Sequence, residues 1–294
     1  MKLTSMLAML FWLSFSLQAS VAEQQMPISK TYFQMLDIQH FVKDKEIKIL
    51  NTGEQDFLAL VKEQTTGFSR GIAFIIPDIN QPVAKQAAVN ATYDQLNDYG
   101  WTSILLTMPS QESIEPPINL LEVQAELAKN PEQETNLDIK AFHQSDVYSE
   151  QFIENIEEKI EQRLNSAMEL AKQHAGFYLF ICEGKSCAWL TSLLQQERVT
   201  TPDALVMLGA HIPQADLNQA LAMRVSKTEF PVLELYQDYD SSWVTNHVTT
   251  RRKLARKEFK TNYRQRKVPS HFGYLSRQQR TVKEIYGFLV ASGM

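Results

Sequence analysis

The chain has 294 residues, 44% of them hydrophobic and 21% charged, with a formal net charge of −5 at pH 7. That is enough apolar material for one globular α/β domain with a substantial core, and the acidic balance excludes a chain-wide polyanion binder, so no nucleic-acid function is read from it. Its two cysteines and six histidines have no zinc-site spacing, and neither a metal nor an organic cofactor is expected.

Lys2 precedes an apolar run, Leu3 to Leu17, that is interrupted by Thr4, Ser5, Ser14 and Ser16 and followed by the small-x-small step Ser20-Val21-Ala22. The run is too short and too rich in serine for a good spanning helix. Residues 1–22 therefore read as a cleaved export signal, with an uncleaved anchor as the competing reading, and residues 23–294 as a single periplasmic domain. Residues 23–45 have no clear period and read as a lead-in. Glu46 to Leu50 and Asp56 to Glu63 are short strand candidates, joined by the hairpin signal Asn51-Thr52-Gly53-Glu54. Gly71 to Pro77 is a continuous apolar run of the kind found in a central parallel strand. A helix over 83–98, with Val83, Ala87, Ala91 and Leu96 near one face, leads through Tyr99-Gly100-Trp101 to a buried strand, Thr102 to Met108. Strand, helix and strand at this spacing predict a βαβ unit.

Residues 110–148, with Pro116-Pro117, Pro131 and many Glu and Gln, break this rhythm and read as an insertion: a lid, or a solvated excursion. Ser149 caps a long predicted helix with Phe152, Ile156, Ile160, Leu164, Met168 and Ala171 at helical spacing. It leads to the strand Phe177 to Cys182, the turn Gly184-Lys185-Ser186-Cys187-Ala188 and a helix through Leu194. A serine between small residues at a strand-to-helix turn has the layout of a nucleophile elbow, here G-x-S-x-A. The bland reading is a small residue packed in a turn. Cys182 and Cys187 flank the turn and are expected to point apart, leaving two buried free thiols. Cys187 as nucleophile would need the motif one residue later, where no glycine flanks it.

Further on come the strands Ala204 to Leu208 and Val232 to Tyr236, a basic helical stretch from Trp243 to Lys260, a strand Tyr263 to Val268, and a last helix Ser276 to Ala291. Asp240 lies just past the Val232 strand, with Asp238 as the alternative acid, and His271 lies on the loop before the final helix. His211 could line the same cleft. Ser186, Asp240 and His271 thus follow one another as nucleophile, acid and base, each just after a predicted strand. The basic run Arg251 to Lys267 is open to an anionic envelope surface. The bland alternative, ahead on general grounds, is a solvated face pairing with acids such as the Glu150 to Glu161 helix.

In this order of residues, and in Pro231-Val232-Leu233 before Asp240, the chain resembles the α/β-hydrolase superfamily. More narrowly, Asp56 to Thr66 with Gly71, Gly100-Trp101 and Tyr263-Arg264-Gln265 is similar to a family of exported bacterial α/β-hydrolase-like proteins without an assigned activity. The resemblance implies a mostly parallel central sheet with helices on both faces. It also implies a serine hydrolase acting on a small ester or other acyl substrate: Ser186 attacks, His271 moves the proton, Asp240 orients it, and the N–H groups of Cys187 and Ile79 hold the oxyanion. The chain departs from the superfamily at Pro77-Asp78-Ile79-Asn80, where His-Gly is usual, and at Gln237, where glycine is usual. A catalytically inactive binding protein of the cell envelope is the alternative.

Overall fold

Among the described residues, eight strands form one sheet in the order β1-β2-β4-β3-β5-β6-β7-β8. The computed structural model describes residue 38 and residues 46–53, 55–79, 81–109, 148–269 and 274–294. The expected export signal, nearly all of the lead-in and of the insertion, and the loop carrying His271 lie outside the described residues. β1 (Ile47–Asn51) and β2 (Asp56–Lys62) pair as the antiparallel hairpin expected, and β2 lies antiparallel to β4 (Trp101–Leu106). From β4 onward every pairing is parallel, through β3 (Gly71–Ile76), β5 (Phe177–Glu183), β6 (Ala204–Leu208), β7 (Val232–Gln237) and β8 (Tyr263–Val268). β3, β4 and β6 are buried along their whole length, which is why they read as unbroken apolar runs rather than as alternating strands.

Helices cover both faces. On one side Phe74, Phe180, Cys182, Leu205 and Met207 pack against α2 (Glu150–Ala171), α3 (Ser186–Gln195) and α4 (Ala215–Lys227). On the other, Ala73, Ile75, Leu179, Ile181 and Val206 meet α1 (Ala87–Gln95) and α6 (Tyr274–Ala291). Ser149 caps α2 as predicted, its Oγ accepting from Phe152 N–H at 3.1 Å, a contact that stabilises a helix start by about 1 kcal/mol. α5 (Val248–Lys257) packs against α4. Among the described residues no helix is long and apolar enough to cross a membrane.

Two expectations are corrected here. Cys182 and Cys187 form a disulfide, with their Cα atoms 5.1 Å apart. The strand parity of Cys182 points it into the α2–α3–α4 layer, and the turn brings Cys187, at the start of α3, into that same layer rather than the opposite one. Arg251, read as part of an exposed basic run, is buried, and Glu157 and Glu161 of α2 pair with Arg198 rather than with that run.

Candidate functional site

Because β3, β5, β6, β7 and β8 are parallel and nearly in register, the residues just after them gather along one edge of the sheet. Asp78 follows β3, Glu183 ends β5, His211 follows β6 and Asp240 follows β7. His271 follows β8 in the chain but lies outside the described residues, so its approach to Ser186 is not described.

The turn after β5 is tighter than the sequence motif suggests. Its left-handed residue is Gly184, at φ +58, directly after the last strand residue. Ser186 is already the first residue of α3 and is fully buried. Its hydroxyl donates to Pro77 O at 2.6 Å, bonding the start of α3 to the end of β3. The Cys187 N–H is directed at Gly184 O, 3.4 Å away. The residue projecting at the apex, where an elbow presents its nucleophile, is therefore Gly184, and it has no side chain. A Cβ built there would sit 2.4 Å from Asp78 Oδ2, so the carboxylate occupies the space that a nucleophile's side chain would need.

Asp78 is held in place by its backbone. Gln86 accepts from Asp78 N–H at 2.6 Å and returns a bond from Nε2 to Asp78 O at 3.0 Å. The Ile79 side chain, next along, is buried in the core. Asp240 Oδ2 accepts from Gln237 N–H at 2.7 Å and faces Gly209. Burial pushes the Asp240 carboxyl up, while the Gln237 N–H and the nearby His211 pull it down. The His211 ring is fixed by Nδ1, 2.9 Å from Gly209 O, and since a carbonyl only accepts, Nδ1 carries the proton. The alternative acid, Asp238, forms a surface ion pair with Lys267.

Glu183 completes the group and was missed in the sequence, where it fell between the strand ending at Cys182 and the turn beginning at Gly184. Its Oε2 is buried without a hydrogen-bond partner. Burial, then the charges of Asp78 and Asp240, push its carboxyl from the ordinary 4.5 up to about 8. The sign follows: the folded chain holds this proton more tightly than the unfolded one, so the associated stability is complete below the unfolded value and is lost as pH rises through the folded value. Wild type is therefore expected to lose more stability than Glu183→Gln between about pH 5 and pH 8, read from urea unfolding at a series of pH values. Parallel curves for the two proteins would refute this.

Between Glu183, Gly209, Asp240 and Thr281 lies a cavity of about 40 Å³, room for water alone, and beside it, sharing Ala88, Gln237 and Thr281, an open pocket of about 310 Å³ is lined by Tyr239 and Arg277. A larger groove, about 460 Å³, lies between α3 and α4 near Thr201 and Phe230, at the opposite edge of the sheet. Among the described residues no group of three or more His, Cys, Asp or Glu is placed to hold a metal ion.

A family model described as "Protein of unknown function (DUF3530)" matches residues 15–291. No curated protein matches the sequence. Among solved structures, esterase 2 of Thermogutta terrifontis, phosphoramylated by tabun, has a TM-score of 0.55 at 8% identity, over 85% of this chain and 96% of that one. Est1E from Butyrivibrio proteoclasticus has a TM-score of 0.54 at 9% identity, over 83% and 99%. A dienelactone hydrolase from Anabaena variabilis has a TM-score of 0.52 at 11% identity, over 83% and 96%. At such identities the likeness establishes the α/β-hydrolase fold expected from the sequence.

Proposed function

The chain belongs to the family described as "Protein of unknown function (DUF3530)", and from that premise we propose that it is a binding protein built on the α/β-hydrolase fold, without acyl-transfer chemistry at its elbow. One observation carries this reading: the apex residue after β5 is Gly184, and the Asp78 carboxylate fills the space beyond it. A nucleophile must project from that point toward both the base and the oxyanion donors. Here the Ser186 hydroxyl is buried and bonded to a backbone carbonyl. Asp78, Glu183 and Asp240 suit a small ligand that brings hydrogen-bond donors or positive charge better than one that develops an oxyanion. The leader over residues 1–22 would make this a periplasmic protein.

The second reading, a serine hydrolase using Ser186, Asp240 and His271, is favoured by the position of Asp240 after β7 and by the esterases that share the fold. Est1E has been solved with ferulic acid bound, which would make a small ester the substrate class to try. For that chemistry Ser186 must leave Pro77 O and reach solvent.

A fluorophosphonate probe separates the two readings when applied to protein recovered from its native host, with Ser186→Ala as control. The expected result is no labelling of either protein, and an N-terminus near Glu23 in the same mass spectra. Labelling that disappears in Ser186→Ala would establish the hydrolase, and an intact Met1 on the recovered protein would refute the leader.

A further inference from the structure

Among the described residues, an exposed surface with a composition that packing does not account for lies at the far end of α5. Arg252, Lys253, Arg256 and Lys257 are all exposed. At spacings of one, four and five residues they share one side of the helix, opposite buried Val248, Arg251 and Ala255. Among the described residues none of the four takes part in an ion pair. Glu157 and Glu161 of α2 are engaged by Arg198 instead. On a chain of net charge −5, four unneutralised cations form a localised positive face.

The residue that ends the helix is stranger. Phe259 N–H bonds Arg256 O at 3.2 Å and Lys260 N–H bonds Ala255 O at 2.9 Å, the paired bonds of a Schellman stop. Such a stop requires a left-handed residue, and glycine is the ordinary choice; here it is Phe259, at φ +54. Its side chain is 88% exposed, so packing does not select it either. Lys260 fastens the turn from beneath, donating to Phe230 O at 2.8 Å, to Asn262 Oδ1 at 2.9 Å and to Thr228 O at 2.5 Å. An aromatic ring is thus held out in water, on a backbone that disfavours it, beside four free cations.

We propose that this face docks on an anionic phospholipid bilayer, the four cations meeting the headgroups and the Phe259 ring entering the interface. The ring decides between bilayer and soluble polyanion: cations alone would suit either, but an apolar group held proud of the surface gains only where it leaves water. The surface is separate from the strand-edge site, so its test does not depend on what that site does.

The experiment is co-sedimentation of the full chain with vesicles of equal parts phosphatidylglycerol and phosphatidylcholine, against pure phosphatidylcholine. All variants carry the same N-terminal residues, so binding by the apolar leader is a common background measured on the neutral vesicles. Wild type should prefer the anionic vesicles and be released by salt. Each cation replaced by glutamine should weaken binding about fivefold. Phe259→Gly should weaken it by roughly fivefold to tenfold while leaving the melting temperature unchanged or higher, because glycine suits the left-handed turn. A merely structural residue would lose both together. Equal binding of wild type to the two vesicle types, or wild-type binding by Phe259→Gly, overturns the proposal. Retention on heparin without vesicle binding also overturns it, and gives the face to an acidic macromolecule.

Discussion

Replacing Glu234 with alanine is expected to destabilise the fold by about 3–5 kcal/mol, the largest loss we expect from a single side chain away from the core. Glu234 sits in the middle of β7 with its side chain fully buried, as is that of Arg251 on α5. Arg251 Nε donates to Glu234 Oε1 at 2.6 Å, and Gln265 Nε2 donates to Glu234 Oε2 at 2.8 Å, with the Tyr263 hydroxyl on that same oxygen. Gln265 Nε2 also reaches Val248 O at 2.8 Å, so the network joins β7, β8 and α5. Removing the carboxylate strands a guanidinium in a space closed to water, and the penalty is that of an uncompensated charge rather than of one lost contact. For a domain of this size the loss corresponds to roughly 10 °C in melting temperature. Glu234→Leu combined with Arg251→Met should be milder than Glu234→Ala, since it removes both charges and leaves apolar volume behind. A Glu234→Ala protein within about 1 kcal/mol of wild type by urea unfolding would show the pair to be dispensable.

Gly184→Ser is expected to cost about 3 kcal/mol or more. Left-handed backbone disfavours a side chain by roughly 1–2 kcal/mol. The new Cβ would also lie 2.4 Å from Asp78 Oδ2 and 2.7 Å from its Cγ, so the carboxylate must move. Since Gln86 fixes the Asp78 backbone on both sides, that movement is resisted. Asp78→Gly should therefore recover about 1–2 kcal/mol of the loss in the double variant, a coupling measurable by a denaturation cycle. Strict additivity of the two substitutions would contradict the contact. The double variant is also the one in which a fluorophosphonate should find a serine at the apex.

The sheet was legible because its strands announce themselves. Gly71 to Ile76 and Ala204 to Leu208 are apolar throughout, since parallel strands are covered on both faces. Ser149 and the Asn51-Thr52-Gly53-Glu54 hairpin were legible as local chemistry. α4 was not read in the sequence, because Asn218 and Ser226 dilute its apolar face and Asn218 is buried through specific bonds to Ile212 N–H and Trp243 O. The strand, turn and helix around Ser186 were legible, while the left-handed residue of that turn, Gly184, lies two residues before the serine on which the motif was read. Glu183 belongs to the strand, and a carboxyl at the end of an apolar run looks like the start of a loop. The Cys182–Cys187 bond was missed because strand parity and the turn act together, and neither alone reveals that both sulfurs face one layer. Arg251 was hidden by its neighbours, since only the spacing of Val248, Arg251 and Ala255 sets it apart from the cations that surround it.

That disulfide also constrains the order of events by which the protein is made. Both cysteines are completely buried, so once α3 has settled on the sheet no oxidant or exchange enzyme can reach them. The bond has to close while the Phe177–Trp189 stretch is still open to solvent. A chain that packs this layer first shuts its thiols inside, beyond the reach of the machinery that would join them. The timing of oxidation relative to collapse therefore decides whether the finished molecule is stapled across its central turn or holds two trapped thiols there for as long as it stays folded.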